Sequence, residues 1–154
     1  MIQDHHYYMM HAVAQARKAV AKDEVPVGAV VVDGAGSIIA RAHNLVEAKK
    51  TQGAHAECLA IAKAGKKLGD WRLQECTLYV TLEPCGQCIH LISMSRLKQL
   101  VYGAPSPLFG YTLDRDSLIS IYKNSHFFMN IVAGIGAQES AVLMQQFFKN
   151  KRVI

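Results

Sequence analysis

The stretch VTLEPCGQC, residues 80–88, sets the tightest limit on what this chain can fold into. It closes TLYVTL (77–82), a run rich in β-branched and aromatic side chains that reads as a buried strand. Pro84 halts the strand, and Cys85 and Cys88 open a helix expected over 86–95. Thirty positions before Cys85, AHAEC (54–58) begins another helix, expected to run from Ala54 to Leu68, with His55 and Glu57 at its start. A fold that brings these two helix starts together sets one imidazole and two thiols around a single point.

A Cys-x-x-Cys pair at a strand-to-helix junction also fits dithiol redox chemistry, because a helix N-terminus lowers a thiol pKa. Here the first strands form a hairpin after a long helix, and no Trp precedes Cys85. The residues that weigh against the redox reading are His55 and Glu57. Zinc takes thiolate and imidazole ligands in a near-tetrahedral set, and a catalytic site leaves one position for water. His55, Cys85 and Cys88 are three such ligands, enough for one zinc per chain. Glu57 then lies near the metal without needing to bind it. Cys58 keeps a rival open: His55 and Cys58 are also spaced i, i+3, and with Cys85 and Cys88 they could close a Cys3His site in a non-enzymatic structural zinc module. In the open-site reading Cys58, like Cys76, is a small buried residue.

The remaining chain alternates helices with strands. Met9, Ala12, Val13, Ala16 and Val20 recur at helical spacing within 5–22. VPVGAVVVD (25–33), the turn DGAG (33–36) and SIIARAHN (37–44) read as a strand hairpin, and KKTQG as loop. Further strands are expected at 99–103 and 130–135, and a last helix from Ala137 to Lys149 with Ala141, Met144, Phe147 and Phe148 on one side. Residues 104–128 show no clear pattern. The expected class is therefore α/β, one domain over 1–154, with helices on both faces of a mixed five-stranded sheet. The longest apolar run, VGAVVV at 27–32, is too short to span a bilayer, and no basic-then-apolar leader opens the chain, so a cytoplasmic, non-membrane protein is expected. A net charge of +5 leans mildly toward an anionic partner such as nucleic acid.

At these residues the chain resembles the bacterial tRNA-specific adenosine deaminases, within the zinc-dependent cytidine and deoxycytidylate deaminase superfamily. His-Ala-Glu followed by Pro-Cys-x-x-Cys is the superfamily signature. EVPVGAVVV (24–32), HN (43–44), AHAE (54–57), CTLYVTLEPC (76–85), SRLKQLVYGA (95–104) and QQFFKNKR (145–152) fall in the family's order. The resemblance implies a three-layer α/β/α cytidine-deaminase-like fold, a homodimer, no organic cofactor, and conversion of the wobble adenosine of a tRNA anticodon to inosine. It implies zinc on His55, Cys85 and Cys88, and Glu57 as proton shuttle. It further implies that Asn44 hydrogen-bonds the nucleoside, that Val27 and Ala56 line the base pocket, and that Phe148, Lys149, Lys151 and Arg152 meet the anticodon loop. One stretch departs from the pattern. Ser106 and Leu108 stand where the family usually has an acidic and a basic residue, which admits a free base or nucleotide of guanine or cytosine type as the alternative substrate.

Overall fold

The computed structural model describes residues 4–111 and 129–151. Asp4 starts helix α1 (His5–Ala21) by accepting the Tyr7 backbone N–H on its side chain, the usual work of an N-cap aspartate. Met9, Ala12, Val13, Ala16 and Ala19 form its buried face. Ala19 takes the place expected for Val20, which is 41% exposed, because the helical period carries the stripe one position earlier in the last turn. Strands β1 (Gly28–Val32) and β2 (Ile38–His43) pair as the expected antiparallel hairpin. Its turn is tied by Asp33, whose carboxylate accepts the N–H groups of Ala35 and Ser37.

The segment expected as loop holds two short pieces, the one-turn helix α2 (Val46–Lys49) and a 3-10 turn at Gln52–Ala54. Helix α3 (Ala56–Leu68) follows and stops at Gly69, which takes the left-handed conformation that glycine adopts at no steric cost. Then come β3 (Thr77–Leu82), α4 (Gly86–Met94), β4 (Gln99–Ala104), β5 (Asn130–Ala133) and α5 (Ala137–Lys151).

The sheet order is β2-β1-β3-β4-β5. β1 pairs antiparallel with β2 and β3, while β3, β4 and β5 run parallel, so the sheet is mixed as the alternation of elements implied. Successive side chains on a strand point to opposite faces. Ala29, Val31, Leu78, Val80, Leu100 and Tyr102 therefore meet Ala56, Ala60, Ile89 and Ile92 of α3 and α4 on one face. Val30, Val32, Tyr79 and Val101 meet Met9, Ala12 and Val13 of α1 on the other, where Leu143 of α5 also packs. Among the described residues no helix is long and apolar enough to cross a membrane.

α1 lies unusually close to β1 at Gly28. A Cβ there would overlap the Ala12 carbonyl and the Ala16 amide, which are helix backbone and cannot move aside. Gly28→Ala is expected to lower stability by about 3 kcal/mol, the upper part of the usual range for overpacking, read as a fall in the urea midpoint.

Candidate active site

The sheet delivers β3 and the hairpin to one end, where α3 and α4 begin. His55 and Cys85 are the residues immediately before their helices, both in extended backbone; Cys85 stands where the helix expected from residue 86 puts it, whereas His55 was expected inside its first turn. An N-cap side chain folds back over the N–H groups of the first turn. Cys85 thereby faces the same point as Cys88, three residues on.

His55 Nδ1 lies 3.2 Å from Cys88 Sγ and 3.7 Å from Cys85 Sγ. Among the described residues these three side chains form the one group of ligand atoms all within 4.8 Å of one another. Tetrahedral zinc, with bonds of about 2.0–2.1 Å to nitrogen and about 2.3 Å to sulfur, separates its N and S ligands by about 3.6 Å. Donor set and spacing fit the metal. Hydrogen bonds from Cys88 and then His55 hold the Cys85 thiol down to about 3, as the thiolate a metal requires. The same bond to Cys85 raises the pKa of His55. Cys88 is pushed up by its hydrogen bonds with Cys58 and Cys85 and by burial. Shared protons bridge the cluster, and a divalent cation takes their place with proton release.

Cys58 Sγ is 3.8 Å from Cys88 Sγ but does not join the mutually close set, so the described geometry is the open three-ligand site. Cys58 is half-buried, more accessible than expected; Cys76 is buried. Glu57 is only 4% exposed. Burial lifts its carboxyl above the ordinary carboxylate value, opposed by hydrogen bonds from its own backbone and from Cys88. A buried carboxyl with a raised pKa beside a metal-ligand cluster is suited to moving protons.

Asn44 follows the last residue of β2 and is 7% exposed. Its Oδ1 accepts the Val46 N–H at 3.2 Å, and its backbone N–H donates to the Val27 carbonyl at 3.0 Å. Val27 is half-buried; Ala56 is fully enclosed, so its side chain belongs to the core. Phe147 is 9% exposed and Phe148 41%, so of the two adjacent rings Phe148 is the accessible one. Lys149 is exposed, Lys151 is paired with Asp23 at 2.7 Å, and Arg152 lies outside the described residues.

Two buried carboxylates at the site carry no signature in the sequence. Glu24, 1% exposed, accepts the Glu47 N–H at 2.7 Å and the Ala48 N–H at 3.4 Å, fastening the turn after Asn44. Glu83, 2% exposed, accepts the Ser106 N–H at 3.0 Å. A Cβ on Gly110 would strike that carboxylate. Gly110 also bridges Cys85, and the Tyr111 N–H donates to the Pro84 carbonyl at 3.1 Å. The loop 105–111 is thus stitched to the turn bearing Cys85, while its tip residues Leu108 and Phe109 stand 86% and 72% exposed.

These features define a zinc deaminase domain. The family described as the cytidine and deoxycytidylate deaminase zinc-binding region matches residues 2–104, and the chain belongs to that family of zinc-dependent hydrolytic enzymes. It is 43% identical over 152 residues to the tRNA-specific adenosine deaminase of Bacillus subtilis (strain 168), covering 99% of this chain and 92% of that one. A solved structure of a tRNA:A34 deaminase superposes with a TM-score of 0.82 at 38% identity, covering 89% of this chain and 98% of the other. A guanine deaminase from Bacillus subtilis superposes with a TM-score of 0.65 at 31% identity, covering 96% and 94%.

The geometry separates the open site from a closed one by experiment. Cys88→Ser is expected to strip zinc from the purified protein, whereas Cys58→Ser is expected to keep one zinc per chain. Elemental analysis by plasma mass spectrometry reads both. Loss of zinc from Cys58→Ser would establish the Cys3His site instead.

Proposed function

We propose that this chain is a single-domain, cytoplasmic tRNA adenosine deaminase that converts the wobble adenosine of an anticodon to inosine with release of ammonia. The observation that carries the reading is the buried Glu57 beside the His55, Cys85 and Cys88 cluster, in a chain 43% identical to a tRNA-specific adenosine deaminase. His55, Cys85 and Cys88 hold the zinc, which when bound supplies a water acidic enough to attack C6 of the base. Glu57 takes the attacking water's proton and delivers it to ring N1, which makes C6 electrophilic. It then helps protonate the departing amine, so that water and adenosine leave as inosine and ammonia. Asn44 orients the nucleoside with the second hydrogen of its amide, the first being directed at the Val25 carbonyl. Val27 and the backbone of Ala56 border the base.

The target base has to leave its stack, so an unpaired anticodon loop is the accessible form. Phe148 offers an aromatic face to a neighbouring base, with Lys149, Lys151 and Arg152 supplying positive charge. The Lys151–Asp23 pair ties the end of α5 to the segment leading into Val25 and Val27, and an RNA phosphate would compete with Asp23 for that lysine. The alternative substrate, a free base or nucleotide of guanine or cytosine type, is favoured by one feature, the uncharged Ser106 and Leu108 in the loop stitched to Cys85.

The two substrate readings separate in one mixture. An anticodon stem-loop with a wobble adenosine, free guanine, cytosine, adenine and cytidine are incubated with zinc-loaded protein and the products weighed by mass spectrometry. Inosine in the RNA with untouched small molecules is the expected outcome; conversion of a free base with intact RNA would transfer the protein to the alternative. Glu57→Ala is expected to keep its zinc and to lower kcat by about a thousandfold.

A homodimer completes the reading. Trp71, 54% exposed, lines an open groove with Ile61 and Leu91, and Leu68 and Met94, at the C-terminal ends of α3 and α4, are 45% and 65% exposed. Such a patch on one face is the kind of surface a second copy covers. Light scattering is expected to give twice the 17.0 kDa of one chain, and Met94→Glu to shift the mass toward that of the single chain.

A further inference from the structure

Two glutamines outside the ligand set occupy a position that neither the family match nor the proposed chemistry uses. Gln52 opens the 3-10 turn three residues before His55, and Gln87 sits between Cys85 and Cys88. Gln52 Oε1 lies 3.0 Å from His55 Nε2. An amide oxygen only accepts, so Nε2 carries the hydrogen and donates it. In the neutral imidazole that a metal ligand must be, that leaves the lone pair on Nδ1, the nitrogen 3.2 Å from Cys88 Sγ and 3.7 Å from Cys85 Sγ. The Gln52 backbone carbonyl in turn accepts the Gln87 Nε2–H at 3.0 Å, and the same Gln87 nitrogen reaches Cys58 Sγ at 3.8 Å.

From this geometry we infer that Gln52 and Gln87 form a strap between the two metal-bearing turns, in which Gln52 is the positioning residue that fixes His55 as an Nδ1 ligand. The inference rests on the zinc reading of His55, Cys85 and Cys88. The physical case has three parts. The neutral imidazole has two tautomers, and only the one protonated at Nε2 presents a lone pair to the sulfurs. A hydrogen bond to the far nitrogen of a ligating histidine also raises the basicity of the near one and locks the ring angle. Finally, the Gln87 bond joins α4 to the 3-10 turn across 35 positions of sequence, so the Cys-x-x-Cys turn and His55 are held in register by a contact independent of the metal.

Both glutamine side chains are exposed, so water can stand in for either amide. That competition makes the test informative. Each variant is loaded with zinc, its fold is checked by circular dichroism, and zinc transfer to an excess of a chromophoric chelator is followed with time. Gln52→Ala is expected to release zinc about tenfold faster than the unaltered protein, the low end of the effect of such partners because the contact is solvent-facing. Gln52→Glu keeps an acceptor and is expected to restore slow release. Gln87→Ala, which loosens the turn but leaves the tautomer fixed, is expected to fall between them. Equal release rates for Gln52→Ala and the unaltered protein would overturn the positioning role of Gln52, as would Gln52→Glu releasing zinc as fast as Gln52→Ala, and a Gln87→Ala protein that releases zinc no faster than the unaltered one would overturn the strap. Failure of the zinc reading is seen separately, as an unaltered protein that carries no zinc or a Cys88→Ser protein that retains it.

Discussion

His55 Nδ1 within 3.7 Å of two cysteine sulfurs is the contact on which the site depends, and it joins turns that are 30 positions apart in the chain. Neither turn could hold the other in place alone. The sheet does so, because β3 is central, flanked by β1 on one side and β4 on the other, and ends at Leu82, with only Glu83 between it and the Pro84-Cys85 turn. α3 crosses the same face with its alanines, Ala56, Ala60 and Ala64, fully buried. Small side chains let that helix approach the strands closely, and the position of its first residue follows from the approach. The metal ligands are therefore placed by packing several residues away from them.

The same packing determines the electrostatics. Glu57 is enclosed because it occupies the first turn of a helix laid against the sheet, and its raised pKa results chiefly from that enclosure. The Cys85 thiol moves the opposite way because Cys88 and His55 offer it hydrogen bonds. Two neighbouring groups thus acquire opposite protonation tendencies, the combination that the proposed ligand and proton carrier call for. Glu24 and Glu83 have a different place in the structure. They are buried acids whose partners are backbone N–H groups, so they are structural braces for the Asn44 turn and for the 105–111 loop.

Much of this was legible in the chain because it depends on residue type and spacing. The strand at 77–82 falls on the residues read from their β-branched and aromatic character, and the zinc trio is named by its chemistry. What was not legible depends on backbone partners. Glu24 and Glu83 each bond an N–H 23 positions away, and an N–H leaves no mark in a sequence. Gln52 and Gln87 are ordinary surface residues until the fold sets them side by side. The small misplacements have the same origin: His55 lies one residue before its helix because the 3-10 turn at Gln52–Ala54 intervenes, and Ala19 replaces Val20 because a stripe of period 3.6 does not fall on whole residues. Phe147 and Phe148, read as lying on one side of the last helix, are adjacent residues about 100° apart on it, and the helix phase buries Phe147 and leaves Phe148 accessible.

The stitching of the 105–111 loop carries a consequence for how such an enzyme can change over generations. Anchors and tips are separate residues. Glu83, Gly110 and the Tyr111 backbone fix where the loop runs, whereas Leu108 and Phe109 project from it with little of their surface engaged. Replacement at the tips leaves the turn that bears Cys85 where it is. Replacement at an anchor disturbs both together. The loop is in that sense a modular attachment beside the candidate site, its tips open to change without displacing the turn beneath.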